Sequence, residues 1–399
     1  VTNPLKRSIP LREFALIYFG NDWHAENRTS SHHVAERLSR RTRVLYVDSP
    51  GLRAPHANAR DLRKIWRKLV AAARRPQRVG DRLWQMSVPQ IPFRRLPLVR
   101  RLNVALGKFL VKRAIKRLGF TRTVSWFTVP HPAFLANAFG ETAVVYYCID
   151  DYAALPDVDV RAIAEMDAHL TRRADQVFVA AARMLPAKRR LNSSTVLARH
   201  GVDDALFRTA ANPCLPVAPG ARHLRRPVIG FYGSIEEWID LDLIADIAER
   251  RPDWTFLMIG RLAVDPGRVK ALPNVVFPGP QPYQSLPNWA RAFDVAIIPY
   301  RPTRQVLNSA PLKLREYLAT GKPVVAVPAP EIERFAGLVR LAQGPEQFIR
   351  EIEDALLNDT EAARTRRMDA TSTMSWEARV REIVDIVERR IWKKESIRS

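Results

Sequence analysis

The segment from Phe293 to Val327 constrains the fold more than any other part of this 399-residue chain. Phe293-Asp-Val-Ala-Ile-Ile-Pro-Tyr300 reads as an apolar strand. Ala310-Pro-Leu-Lys-Leu-Arg-Glu-Tyr-Leu-Ala-Thr-Gly321 reads as a loop, a short helix and a glycine stop, and Lys-Pro-Val-Val-Ala-Val327 returns as a second strand. Strand, helix and strand in that order make a βαβ unit. Its helix turns a positive N-terminal end toward whatever lies above the strand ends. Lys313 and Glu316 are three residues apart and share one helix face. A lysine suits a phosphate and a carboxylate suits a pair of sugar hydroxyls, so the segment predicts a pocket for a nucleoside diphosphate.

Length favours two domains over one. The two cysteines, Cys148 and Cys214, are far apart, which argues against a disulfide framework and a Cys-based zinc site and fits a reducing cytoplasm. Val1–Ser8 has no signal-peptide pattern, and no run of about 18 apolar residues predicts a spanning helix. The formal net charge of +23 is concentrated: between Arg53 and Arg122 stand 20 Lys/Arg and only two acids, Asp61 and Asp81. A basic block of that density implies an anionic partner, whether nucleic acid, an anionic membrane surface or a phosphorylated substrate.

Along the chain, α/β alternation begins with a strand at Phe14–Phe19, a helix from about Thr29 to Arg41 and a strand at Val44–Val47. Within the basic block Leu62, Ile65, Trp66, Leu69 and Val70 recur at helical spacing, with Arg63, Lys64, Arg67 and Lys68 on the remaining faces. A second basic stretch, Phe93–Phe120, places Leu102, Leu106, Phe109 and Leu110 on one side. Strands are then expected at Thr123–Phe127, Ala143–Tyr147, Gln176–Val179 and Ser194–Leu197, and a helix at Val160–Arg173. Pro213, Pro216, Pro219 and Gly220 mark residues 206–227 as a linker. A second series follows: strand Val228–Tyr232 into a Gly233 turn, helix Leu241–Arg251, strands Thr255–Ile259, Val275–Phe277, Val295–Pro299 and Val324–Val327, with a helix at Tyr283–Ala292. The expected architecture is α/β, with two Rossmann-like doubly wound domains, 1–205 carrying the basic insertion 53–122, and 228–370, followed by a C-terminal helix over 371–399.

Four pieces in order, Gly230-x-x-Gly233-Ser234, Ile259-Gly260-Arg261, Phe293-Asp294 through Pro299, and Pro311-x-Lys313-x-x-Glu316-Tyr317 through Gly321, resemble the donor-binding half of GT-B glycosyltransferases near family 4. Arg199-His200-Gly201-Val202-Asp203 is similar to their hinge-side motif. Val144 through Tyr152, with Asp150 and Asp151, is similar to a segment of a bacterial exopolysaccharide and teichuronic-acid-type subgroup that carries an acidic residue. The resemblance implies two domains about a central cleft, with the C-terminal helix returning toward the N-terminal domain. It implies transfer of a sugar from a nucleotide diphosphate, UDP- or GDP-linked, to a lipid-linked or polysaccharide acceptor at the cytoplasmic membrane face. Family members often carry two glutamates separated by seven residues; Glu316 fits the second, and Asn308 stands at the first.

Sugar transfer builds an oxocarbenium-like centre beside a departing diphosphate, so cations or N–H groups must meet the leaving group. Lys313, Arg261 and the Gly233–Ser234 turn are the candidates, against ordinary surface cations and a tight turn with an N-cap serine. No Asp-x-Asp motif stands where a metal would be needed, so the expected reaction is metal-independent and needs no cofactor beyond the nucleotide sugar. Glu316 is expected on the ribose hydroxyls, Asn308 on a sugar or phosphate, and Tyr283 beside the base or on a buried helix face. Asp151 is the candidate general base, against a pair of turn aspartates. Asn27, Ser30, His32 and His200 are acceptor-side candidates, against capping and structural histidines. The Trp66 helix fits an anionic membrane surface, against a helix buried on its own domain. A GT-B-type nucleotide-sugar epimerase shares this fold, and a nucleic-acid-binding protein would rest on charge alone, without a reader module.

Overall fold

The computed structural model describes residues 8–48, 75–89 and 97–398. The helix expected over Leu62–Val70, with Trp66, lies outside them. By its contacts the chain divides into two compact units, Val1–Arg199 with Arg379–Ser399, and His200–Ala378.

In the first unit, strands β1 (Ala15–Gly20), β2 (Val44–Asp48), β3 (Gln77–Arg78), β4 (Leu83–Ser87), β5 (Thr123–Phe127), β6 (Ala143–Cys148), β7 (Gln176–Val179) and β8 (Thr195–Leu197) form one sheet. Their order is β3-β4-β2-β1-β5-β6-β7-β8, parallel except for β3 against β4. β1, β2, β5, β6 and β7 are buried at every position, because the chain between them covers both faces. Sequence reading passed over β4. Gln85 and Ser87 break its apolar pattern, and the structure shows why: both donate to the Asp48 carboxylate, Ser87 at 2.8 Å. Helix α1 (Ser30–Ser39) starts at a capping box in which Thr29 is the N-cap.

Helix α2 (Pro97–Arg117) packs through Asn103, Gly107, Val111 and Ala114, all buried, while Leu102 and Phe109 face outward. The apolar cluster read from the sequence is therefore not the packed face of this helix. Helix α3 (Val160–Arg173) begins at Asp159, whose side chain accepts from the Ala162 amide.

In the second unit, β9 (Val228–Tyr232), β10 (Thr255–Ile259), β11 (Val275–Gly279), β12 (Val295–Ile298), β13 (Val324–Ala326) and β14 (Arg340–Leu341) run in the order β11-β10-β9-β12-β13-β14, all parallel. This is a doubly wound order that reverses between β9 and β12. Helix α4 (Leu241–Arg250) follows β9 and buries Leu241, Leu243, Ile244 and Ile247. Asp240 caps it, accepting from the Leu243 amide at 3.1 Å. Asp240→Ala is expected to cost about 1 kcal/mol, read as a lower denaturation midpoint with an unchanged slope. Helix α5 (Leu312–Ala319) buries Leu314, Tyr317 and Leu318. Its stop, Gly321, is fixed by the buried Arg367 of helix α6 (Glu361–Ser372), which donates twice to the Gly321 carbonyl at 2.7 and 2.9 Å.

One boundary differs from expectation. Residues 206–227 are folded onto the second unit and do not form a free linker: the Ala218 amide donates to the Asn288 carbonyl and the Asn288 side chain to the Pro216 carbonyl. The C-terminal helix, α7 (Trp376–Arg398), belongs to the first unit from Arg379 onward. There Glu388 accepts from the Leu11 amide at 2.7 Å, Arg390 donates to the Asp175 carbonyl, and Lys394 pairs with Asp175 at 2.6 Å. Among the described residues no helix is long and apolar enough to cross a membrane.

Candidate functional site

The second unit gathers its chemistry where the sheet order reverses. Phe231 stands next to the last residue of β9 and Tyr300 follows β12, and the Lys313 ammonium lies over both rings, 4.2 and 5.2 Å from their centres. Lys313 stands in the first turn of α5, whose N-cap, Pro311, offers no side-chain oxygen to the helix amides. A cation there meets the positive end of the helix, an unfavourable position until an anion joins it. Burial pushes the Lys313 ammonium down to about 7, with the Glu316 charge opposing that shift.

Glu316 is buried on the same helix face. Tyr283, in the turn after β11, donates to its Oε1 at 3.1 Å. The buried Tyr232 hydroxyl lies beside the same carboxyl without hydrogen-bonding geometry. Burial raises the carboxyl to about 7, against the Tyr283 hydroxyl and Lys313, while the Asp203 charge adds to the rise. Aromatic contacts hold this wall: Tyr317 meets Tyr232 edge-on at 4.6 Å, and Phe207 stacks on Tyr232 at 6.0 Å and meets Tyr283 edge-on at 5.6 Å. The Tyr232 amide donates to the Tyr317 hydroxyl at 2.9 Å, which fastens α5 to the end of β9. A buried acid and a half-buried base side by side, both near neutrality, make a site able to accept hydroxyl donors at one end and an anion at the other.

The Gly233–Ser234 turn differs from expectation. Ser234 caps no helix, because α4 begins only after Asp240. The Gly233 amide donates to the Ile259 carbonyl and the Ile235 amide to the Arg261 carbonyl, so these N–H groups are spent within the sheet edge. Gly233 instead supplies closeness: its φ is +132°, and a Cβ there would lie 2.7 Å from Lys313 Nζ. Gly260 has φ +141°, and a Cβ on it would collide with the Gly233 carbonyl oxygen. Gly260→Ala is expected to lower the melting temperature by more than the strained backbone alone implies, about 1–3 kcal/mol, and to displace the Gly233 turn. An unchanged Tm in thermal denaturation would show that the turn yields freely.

Arg261 is half-exposed and pairs at 2.8 Å with the buried Glu236, which fixes it beyond β10. Asn308 ends the short helix Arg304–Asn308 and is half-buried. His200 is buried, 6.2 Å from the Trp376 ring, beside the Val202 amide that donates to the Met374 carbonyl.

In the first unit, Asp150 and Asp151 follow β6. Asp150 accepts from the Asp151 amide at 2.9 Å, and Asp151 precedes the turn Tyr152–Ala154. Behind them lies a buried group that sequence reading missed. Lys188 is ion-paired with Asp167, donates to Thr171 at 3.2 Å, and Tyr146 donates to Asp167 at 2.6 Å. Despite burial, the combined charges raise the Lys188 ammonium, with Asp151 among them. Ser30 is buried at the start of α1, and Asn27 lies exposed in the loop before it. His32 is committed to that loop: Nδ1 accepts from the Thr29 amide at 3.0 Å and Nε2 donates to the Asp22 carbonyl at 2.9 Å. Burial lowers it to about 4, so the ring stays neutral and structural.

Residues 226–358 match the family described as Glycosyl transferases group 1. Over 289 residues, 66% of this chain and 71% of the relative, the sequence is 27% identical to TuaH of Bacillus subtilis (strain 168), whose name assigns it provisionally to teichuronic acid biosynthesis as a glycosyltransferase. Among solved structures, sucrose-phosphate synthase from Thermosynechococcus elongatus superposes with a TM-score of 0.65 at 14% identity, over 96% of this chain and 99% of that one. Anabaena Alr3699/HepE, in complex with UDP and glucose, gives a TM-score of 0.63 at 14% identity, over 94% and 99%.

Proposed function

We propose that this glycosyltransferase, an α/β enzyme of the GT-B fold, takes its sugar from a nucleotide diphosphate. The acceptor is a lipid-linked or polysaccharide glycan at the cytoplasmic membrane face. The observation that carries the donor reading is the Lys313–Glu316 pair at the β9/β12 reversal, where doubly wound sheets bind nucleotides. Glu316, already holding the Tyr283 hydroxyl, accepts from the ribose hydroxyls. Lys313 meets the diphosphate and holds the charge that develops as the anomeric bond breaks. Arg261 supplies a second cation beyond β10, and Asn308 an uncharged contact to sugar or phosphate. UDP in the HepE structure supports a uridine nucleotide as the first to test.

On the acceptor side, Asp151 takes the proton of the attacking hydroxyl. Lys188, bound to Asp167, lies close enough for its charge to interact with Asp151. Asn27, Ser30 and His200 remain acceptor-side candidates, while the neutral His32 serves by shaping the loop before α1. The epimerase alternative is not favoured, since the matching family and TuaH are both named as transferases.

The test is a thermal-shift panel of UDP, GDP, ADP and dTDP with their sugars. A ligand that binds only the folded chain stabilises it by about 2.7 kcal/mol at a hundredfold excess over Kd. One nucleotide is expected to raise Tm well above the others. No shift from any of them would remove the donor site from the second unit.

A further inference from the structure

Helix α2 carries two apolar stripes. Asn103, Gly107, Val111 and Ala114, spaced 4, 4 and 3, are the buried seam, with Gly107 against Phe134 and Leu135. Leu98, Leu102, Ala105 and Phe109, spaced 4, 3 and 4, form a second stripe on the opposite side of the helix. Its large members are exposed to 69%, 49% and 60% for Leu98, Leu102 and Phe109. The helix holds seven Lys/Arg and no acid. Arg101, Lys108 and Lys112 flank one edge of the outer stripe, Arg113 and Arg117 the other, and Lys116 stands at its end. Desolvation lowers the Arg117 guanidinium, and the neighbouring charges of Arg113 and Arg75 lower it further, so like charges are crowded here.

We infer that the outer face of α2 is a docking surface for an anionic lipid bilayer, with Leu98, Leu102 and Phe109 entering the headgroup boundary and the flanking cations meeting lipid phosphates. An anionic lipid surface supplies hydrocarbon and negative charge side by side. A nucleic acid would match the cations and leave the three apolar side chains in water, and a second copy of this face would bring the two sets of cations together. The inference deepens the membrane-face reading by naming the surface, and it stands apart from the nucleotide site.

The experiment is flotation of the full chain with vesicles of phosphatidylglycerol and phosphatidylcholine, and of phosphatidylcholine alone. Binding is expected only to the anionic vesicles and to weaken as salt is raised. The double variant Leu102→Ser, Phe109→Ser and the triple variant Lys112→Gln, Arg113→Gln, Lys116→Gln should each bind at least tenfold more weakly. As a check free of mutational damage, hydrogen exchange of the wild-type chain should slow over residues 97–117 when anionic vesicles are added. Unaltered flotation of the double variant, or no protection in that helix, overturns the inference. So does tighter binding to duplex DNA than to vesicles at equal salt, or a dimer that the double variant converts to monomer. The nucleotide thermal shift is measured on the same samples, so loss of one property without the other shows which reading has failed.

Discussion

Glu316→Ala is expected to remove most of the thermal shift given by the cognate nucleoside diphosphate. Hydrogen bonds to a charged acceptor contribute about 1.5–3 kcal/mol each, so binding should weaken about 10- to 100-fold, with KM for the donor rising in step. Without nucleotide the effect runs the other way. The folded carboxyl titrates at about 7 against an ordinary 4.5, so between these values the folded chain holds a proton that the unfolded chain has released. Stability therefore falls as pH rises through that window. Glu316→Gln removes this term and keeps an acceptor for Tyr283, so the ligand-free variant should melt higher than the parent at pH 7.5 while binding nucleotide less well. Equal affinity in parent and Ala variant, by calorimetry, would take Glu316 out of the site.

Lys313→Met should lower kcat by about 100- to 1000-fold, the loss expected when a charge donor aimed at a leaving group is removed, about 2.7–4 kcal/mol. The pH profile gives a second reading. Only the protonated lysine opposes the diphosphate charge, and burial holds it at about 7 in the free protein. The kcat/KM curve should therefore descend as pH rises above about 7. Bound phosphate favours the ammonium, so the corresponding limb of kcat should lie higher. Lys313→Arg keeps the charge at every accessible pH and should abolish the limb, at a cost in rate where the larger group meets Gly233. For stability the sign is again definite: from about 7 to 10.5 the unfolded chain holds the proton that folded Lys313 lacks, so stability rises with pH there. Together with Glu316, this places the minimum of the pair's own contribution to the stability of the ligand-free protein near pH 7. An unaltered kcat in Lys313→Met would refute the leaving-group role.

Much of this was legible locally. Thr123–Phe127, Gln176–Val179, Thr255–Ile259 and Val160–Arg173 have the bounds their apolar runs and caps suggest. The Lys313–Glu316 spacing alone placed both side chains on one helix face. What stayed hidden depends on chain segments that meet only in the fold. Tyr283 reaches Glu316 across 33 residues. Phe231 and Tyr300 bracket Lys313 because β9 and β12 are neighbours, a pairing that only the reversal of strand order creates. Position at the ends of those two strands was the available signal. Ser234 looked like a helix cap because a glycine turn after a strand often opens a helix; here the bridges Ile235↔Leu262 and Ile239↔Tyr300 continue the edge and delay α4. His32 was an acceptor-side candidate with helix capping as the alternative, and the structure commits its ring: Nδ1 accepts from the Thr29 amide in the cap of α1 and Nε2 donates to the Asp22 carbonyl.

The return of α7 to the first unit has a consequence for how the chain is made. His200–Ala378 is an insertion between two stretches of the other unit, and its ends are already side by side, since the Val202 amide bonds Met374 and the Trp376 amide bonds Val202. On a ribosome the inserted unit is complete before residues 379–398 emerge. Until then the first unit lacks Arg390 and Lys394 on Asp175 and Glu388 on the Leu11 amide. The second unit is thus poised to fold first although its sequence comes second, and stop codons or clipping after Ala378 would damage the half encoded at the front of the message.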